Sequence, residues 1–532
     1  MRAIGVAVLL TASLTAAVSG SPAPAAAPAS AGVPSALWGR AGEAWTPAGR
    51  LPDFSWAGYH AGEKPLPTLP PGTSVKQFGA KGDGTTDDTQ AFLDALAQVK
   101  SGAIEIPPGR YRLTKILEMT RPGLVLRGAG PDKTVLFFPT PLEEIKPIRS
   151  QTTSGQPTSG YSWSGGFIVM RGSYGSRPLA TVVGEAKRGD QAVRVSSAAG
   201  LKAGQRVEIT VSDTPENTLA AHLYCDDPGP MDKLLGRSGA SLVTRVTAVE
   251  GDRIRFDRPL RFDIRPDWKG QVRDFQPTVT ECGLEAVTFE FPVTDYKGHF
   301  TEVGFNPVAM TRVTDCWVRN IRLLNADSGP MVSGCFNTVE GVVHESARKS
   351  DGRGFVGHHG IYLSGDDNLY TGFDVRGRYV HDVTVSHCAG NVIKGGRGAD
   401  LCFDHHKRAP YENLFTDIDL GAGTRPWMCG GGAALGKNCG ARGTFWNLRA
   451  ARSLAYPPAS FGPWSMNLVA VQTDKPSETK PDGKWFEAIP PAQIVPRDLH
   501  AAQLERRLGG GRAPAAKAPA APKRPLLPFP LK

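Results

Sequence analysis

Apolar positions in this chain come in short runs separated by glycine, proline, asparagine and aspartate. Ala103 to Ile106, Leu124 to Leu126, Glu285 to Phe291, Trp317 to Leu323, Asn337 to Val343, Asp382 to Val385, Leu401 to Phe403, Asn413 to Leu420 and Thr444 to Leu448 each read as a strand. From Ile321 to Val342 is 21 residues. A sandwich would repeat every ~8–12 residues, whereas one turn of a β-helix takes about 20 or more. The pattern therefore predicts a solenoid of short strands with inserted loops. Asp87 to Lys100 alone has clear helical spacing: Ala91, Phe92, Ala95, Leu96 and Val99 share one face, and Asp87 or Asp88 can cap the start.

From about residue 140 to 277 the pattern changes. Asp190 to Val195, Gly204 to Thr210, Leu242 to Val249 and Arg253 to Phe256 alternate apolar and polar residues, as half-buried antiparallel strands do. This stretch reads as a small β module inserted into the solenoid. Residues 26–70 form an N-terminal extension, and residues 71–139 start the solenoid. Residues 278–508 carry its main part and C-terminal cap, and 509–532 are a basic Ala/Pro/Lys tail. Residues 1–25 fit a signal peptide: Arg2, then a mostly apolar run from Ala3 to Val18, then small residues. That predicts a secreted protein. The run is short of the ~20 residues a span needs, so no membrane span is expected.

Val75 to Gly84, then Asp87 to Ala91, then Ile106 to Tyr111 form a box that resembles the opening of the pectate-lyase-like superfamily, shared by polygalacturonases, exo-β-1,3-glucanases and phage tailspikes. The resemblance implies an all-β chain: a right-handed parallel β-helix with an N-terminal capping helix. A cap covers the apolar interior and unpaired strand edges that an open end would expose. Asp83, Asp87 and Asp88 then serve architecture. The resemblance also implies work on a carbohydrate polymer.

Net charge is +10, which suits an anionic polysaccharide partner. No nucleic-acid motif or continuous basic stripe is present. A monomer is expected. The eight cysteines permit disulfides in an exported chain, with Cys429–Cys439 the favoured pair. No Cys-x-x-Cys pair occurs, so no metal ligand is assigned. No EF-hand-like loop supports calcium.

Seven of the eleven histidines lie between His344 and His406. Stacked rungs can gather them on one face. Eliminating a uronate polymer requires a base for the C5 proton, an acid for the leaving oxygen and a partner for the carboxylate. His359, Lys394, Arg397, Asp404, His405, His406 and Arg408 are the candidates. Hydrolysis requires two facing carboxyl groups, and Asp366 and Asp367 resemble the paired aspartates of polygalacturonases. His358, Tyr362, Tyr411, Glu412, Arg425 and Trp427 are expected to bind sugar, the aromatic ones by stacking on rings. Neighbouring strand residues face opposite ways, so only one member of each His-His pair should reach a groove. Elimination leads, hydrolysis is the alternative, and non-catalytic glycan or wall binding is the third reading.

Overall fold

A computed structural model describes Met1 and residues 32–152 and 154–509. The expected signal peptide and most of the basic tail lie outside the described residues. Strands stack in parallel and in register, each rung on the next. One column of the long sheet runs Leu284, Val318, Val339, Tyr370, Ile393, Phe415, Phe445, Leu468 and Phe486. All nine side chains are buried. Each of the aliphatic and phenylalanine side chains contributes on the order of 1.5–3 kcal/mol by leaving water.

Six of the long strands bend midway at a residue in the left-handed region: Ala286 (φ 61°), Asn320 (52°), Gly341 (66°), Asp417 (53°), Asn447 (54°) and Ala470 (53°). The bend divides the sheet into two faces. Glycine, asparagine and aspartate tolerate this conformation better than β-branched residues do, which accounts for most of the residues at this corner. A few residues N-terminal to the bends, Asn337, Asn368, Asn391 and Asn413 stack inside the coil. Each side-chain Oδ1 from Asn368 onward accepts from both the backbone N–H and the side-chain amide of the asparagine one rung back, at 2.9–3.1 Å.

The remaining face is a seven-stranded parallel sheet built from Leu117–Met119, Ile168–Arg171, Val308–Thr311, Met331–Val332, Gly357–Leu363, Tyr379–Val385 and Phe403–His405. Ile168–Arg171 falls inside the stretch read from sequence as inserted, yet it pairs with solenoid strands on both sides. The antiparallel module proper is a six-stranded sheet running from Pro178–Thr181 to Gln271–Asp274. Its core of Val207, Ile209, Leu242, Ile254 and Trp268 is continuous with Ala389, Ala409, Tyr411 and Ala441 of the solenoid.

Helix Thr89–Gln98 buries Phe92, Ala95 and Leu96, with Phe92 edge-on to Tyr111. Asp87 accepts the Thr89 N–H at 3.0 Å. Asp88 instead holds the Lys81 and Gly82 amides. At the chain's other limits, Val33–Pro34 pairs in parallel with Ile494–Val495. Trp38, Leu51 and Phe54 cover Leu414, Trp446 and Val469 on the outside of the long sheet. Among the described residues no helix is long and apolar enough to cross a membrane.

The expected Cys429–Cys439 disulfide is absent, and all eight cysteines are free. The loop between them carries the two sulfurs to different neighbours: Cys429 Sγ lies on the Phe403 carbonyl, and Cys439 Sγ on that of Gly440.

Candidate functional site

Three successive rungs of the seven-stranded sheet place the chemistry. His359 pairs with His381, Tyr362 with Thr384, and Thr384 with Asp404. The centre is the buried Asp404 carboxylate. Its Oδ2 lies 3.0 Å from His406 Nδ1, 3.1 Å from Thr384 Oγ1 and 3.4 Å from His381 Nδ1. Its Oδ1 accepts the Gly430 N–H at 2.7 Å. A Cβ at Gly430 would stand 2.8 Å from the His406 ring and 2.9 Å from that of His381, so only glycine lets this loop close on the cluster.

His358 and His359 stack at 3.9 Å between ring centroids, and His359 Nδ1 contacts Thr384 Oγ1 at 2.8 Å. His299 arrives from a loop and sets its Nε2 2.9 Å from His358 Nε2. The same loop carries Glu302, whose Oε2 is 3.7 Å from His358 Nδ1. Asp327 anchors that loop by accepting the Val303, Gly304 and Phe305 amides at 3.0–3.1 Å, while pairing with Arg348. His299, His358 and His381 each bring one ring nitrogen within 4.8 Å of the others; His381, Asp404 and His406 form a second such group.

Burial governs the electrostatics. It pushes His358 and His359 well below the usual imidazole range, lowers His381, and takes His299 down to about 4, so these rings are neutral at pH 7. His406 differs. Burial opposes its charge, but the adjacent Asp404 outweighs that and raises it. Burial also opposes the Asp404 charge, and His381, His406 and the Gly430 amide overcome it, holding Asp404 well below the usual carboxylate range. Burial raises Glu302 to about 7, against hydrogen bonds from Tyr296 and Ser162.

The structure brings together His358, His359, Tyr362, Asp404 and His406 of the residues expected from sequence. Tyr362 sits edge-on to His359 at 5.2 Å. The exposed Arg408 acts electrostatically on both Tyr362 and His406. Lys407, Arg408 and Ala409 are all left-handed (φ 62°, 61° and 51°), a run of strained backbone beside the cluster.

Other candidates lie elsewhere. His405 points into the coil among Phe415, Phe445 and Phe461. Lys394 pairs with Asp498 at 2.7 Å, and Arg397 with Asp374 at 2.9 Å. Arg425 is buried on Asp382 at 2.6 Å. Trp427 packs edge-on to Phe445 and Phe461. Asp367 is clamped by Arg258 and Arg261 of the module, and Asp366 accepts the Ala389 N–H. Glu412 joins Arg188 and Arg442 across the same junction, where Tyr411 is buried. Sequence reasoning missed His299, Glu302, His381, Thr384 and Gly430. His381 carried a usable signal, lying 22 residues beyond His359, its in-register partner one rung away. His299 carried none, because only the path of its loop brings it here.

Strand order and register define a parallel β-helix. Residues 72–213 match the family model described as rhamnogalacturonase A/epimerase, pectate lyase-like. Alginate lyase 7 of Azotobacter vinelandii is 34% identical over 100 residues, which are 17% of this chain and 12% of that protein. Mannuronan C5-epimerase AlgE4 of the same organism is 39% identical over 72 residues, 12% of this chain and 13% of that protein. The chain thus spans about an eighth of the length of these relatives. Among solved structures, the tailspike gp49 of Pseudomonas phage LKA1 aligns at TM-score 0.42 and 13% identity, over 71% of this chain and 63% of that one. The chain resembles the pectate-lyase-like superfamily, as its opening box implies.

Proposed function

We propose that this protein is an exported, monomeric enzyme that cleaves a uronate-containing polysaccharide by β-elimination. The observation that carries the reading is the Asp404–His406 pair at the edge of a buried histidine cluster. Asp404 holds His406 Nδ1, and the His406 side chain is about one-third exposed (32%), so Nε2 is left for a substrate proton. His406 takes the C5 proton. The C5–H electron pair forms the C4=C5 double bond as the C4–O bond breaks, and the Tyr362 hydroxyl protonates the departing oxygen. Arg408 faces the uronate carboxylate, whose negative charge grows as the proton leaves. The family match and the names of the two Azotobacter relatives support a uronate polymer. Lyase and C5-epimerase chemistry both begin by removing the C5 proton.

Incubation with alginate, pectate and hyaluronate tests this. New ultraviolet absorbance from the conjugated uronate is the expected result. Reducing ends without absorbance would replace elimination by hydrolysis, and binding without either would make the solenoid a glycan-binding protein.

A further inference from the structure

We propose that His299, His358 and His381 together bind one divalent transition-metal ion, with zinc as the first ion to test. Three observations converge. One ring nitrogen from each residue lies within 4.8 Å of the other two, and the Nε2 atoms of His299 and His358 are 2.9 Å apart, spacings that bracket the roughly 3.4 Å that bonds of about 2.0–2.1 Å in a tetrahedron demand. His381 Nε2 is buried and has no hydrogen-bond partner. A buried polar atom in this state calls for a bound water, an ion or a functional role. An N–H···N bond from His299 to His358 explains one contact but leaves His381 Nε2 unpaired, whereas an ion engages all three rings.

The rings are also oriented for the task. His358 directs Nε2 at His299 and Nδ1 toward Glu302, 3.7 Å away. His381 directs Nδ1 toward Asp404, 3.4 Å away, leaving Nε2 for the ion. A carboxylate behind the non-ligating nitrogen is how proteins set the tautomer and basicity of a metal-bound imidazole. His344 is buried and unpartnered too, but it packs on Tyr379. Among the described residues only the two groups sharing His381 cluster closely enough. Three neutral imidazoles suit zinc, copper, nickel or iron, and not calcium, which takes oxygen ligands. The half-buried His299 leaves a fourth position toward solvent for water or a substrate oxygen. Metal binding does not depend on the elimination reading; only a role in neutralising a uronate carboxylate rests on it.

The test uses the full chain, stripped with chelator and titrated calorimetrically with zinc in the absence of polysaccharide, with cobalt as a visible-absorption reporter. Expected are one ion per chain, tetrahedral-type cobalt bands, and at least 100-fold weaker binding in His358→Ala and His381→Ala. His299→Ala, on a loop, tests the site without disturbing a strand and should weaken binding equally. His406→Ala should retain the ion while losing elimination. No stoichiometric binding of zinc or cobalt overturns the proposal. So does an ion lost in His406→Ala but kept in His299→Ala, which would place it on the His381–Asp404–His406 group.

Discussion

Two buried polar columns run through this solenoid, and they are built to opposite rules. In the asparagine column each amide is tied to the next rung, and Asn337 and Asn368 also donate to the Val313 and Gly334 carbonyls. In the histidine cluster, His381 Nε2 is buried without a partner. A buried polar group left unsatisfied costs about 1–3 kcal/mol. A column that repeats one residue and satisfies it stiffens the coil. A cluster that leaves a nitrogen bare keeps it for something that binds.

The largest expected effect separates the two columns by function. Asp404→Asn should cost about 10³-fold or more in turnover, because the amide no longer favours the imidazole tautomer with its proton on Nδ1. Asn391→Ala should leave the turnover of folded protein unchanged. Equal activity loss in both would erase the distinction. For stability the order reverses. Asn391→Ala removes the acceptor for two Asn368 donors and should destabilise by about 2–4 kcal/mol in chemical denaturation, whereas Asp404→Asn should cost less.

The junction between solenoid and module extends the contrast to charge. Arg258→Ala leaves Asp367 buried with half its partners, so a loss of about 3–5 kcal/mol is expected. Beside it, burial and the neighbouring Asp367 raise Asp366 from 3.8 to about 7. Its folded form thus prefers the proton. The stability it contributes is present below pH 3.8 and is lost as pH rises through about 7. Asp366→Asn should flatten melting temperature against pH over this window and gain on the native protein above it. An unchanged slope would contradict that assignment. The smallest effect belongs to Arg397→Ala. Its pair with Asp374 is half-exposed, so less than about 1 kcal/mol should be lost, with no change in turnover.

Much of the coil was legible because its interactions are local or between adjacent rungs. Alternation marked Trp317 to Leu323, and helical spacing marked the stretch that folds as Thr89–Gln98. The module strands also stood out, although Ile168–Arg171 was assigned to the wrong side of the boundary. The site was legible only in part. His406 and Asp404 lay within a dense run of charge, but that run also contained Lys394 and Arg397, whose partners Asp498 and Asp374 hold them on the long sheet.

By itself the sequence determined the repeat of short strands and the helix at Thr89–Gln98, since each depends on local period, whereas the left-handed bends and the stacked asparagines emerged only once the rungs were in register. Strand period separated His405 from His406 but not His358 from His359, which share a strand and yet stack together in the cluster. Which of His405 and His406 faces out was decided by the fold, where the aromatic core of Phe415, Phe445 and Phe461 takes His405. The tertiary structure alone decided that His299, 59 residues before His358, returns to meet it. Rung length, loop path and the Asp327 anchor set that meeting, and none of these is encoded in the local pattern around His299.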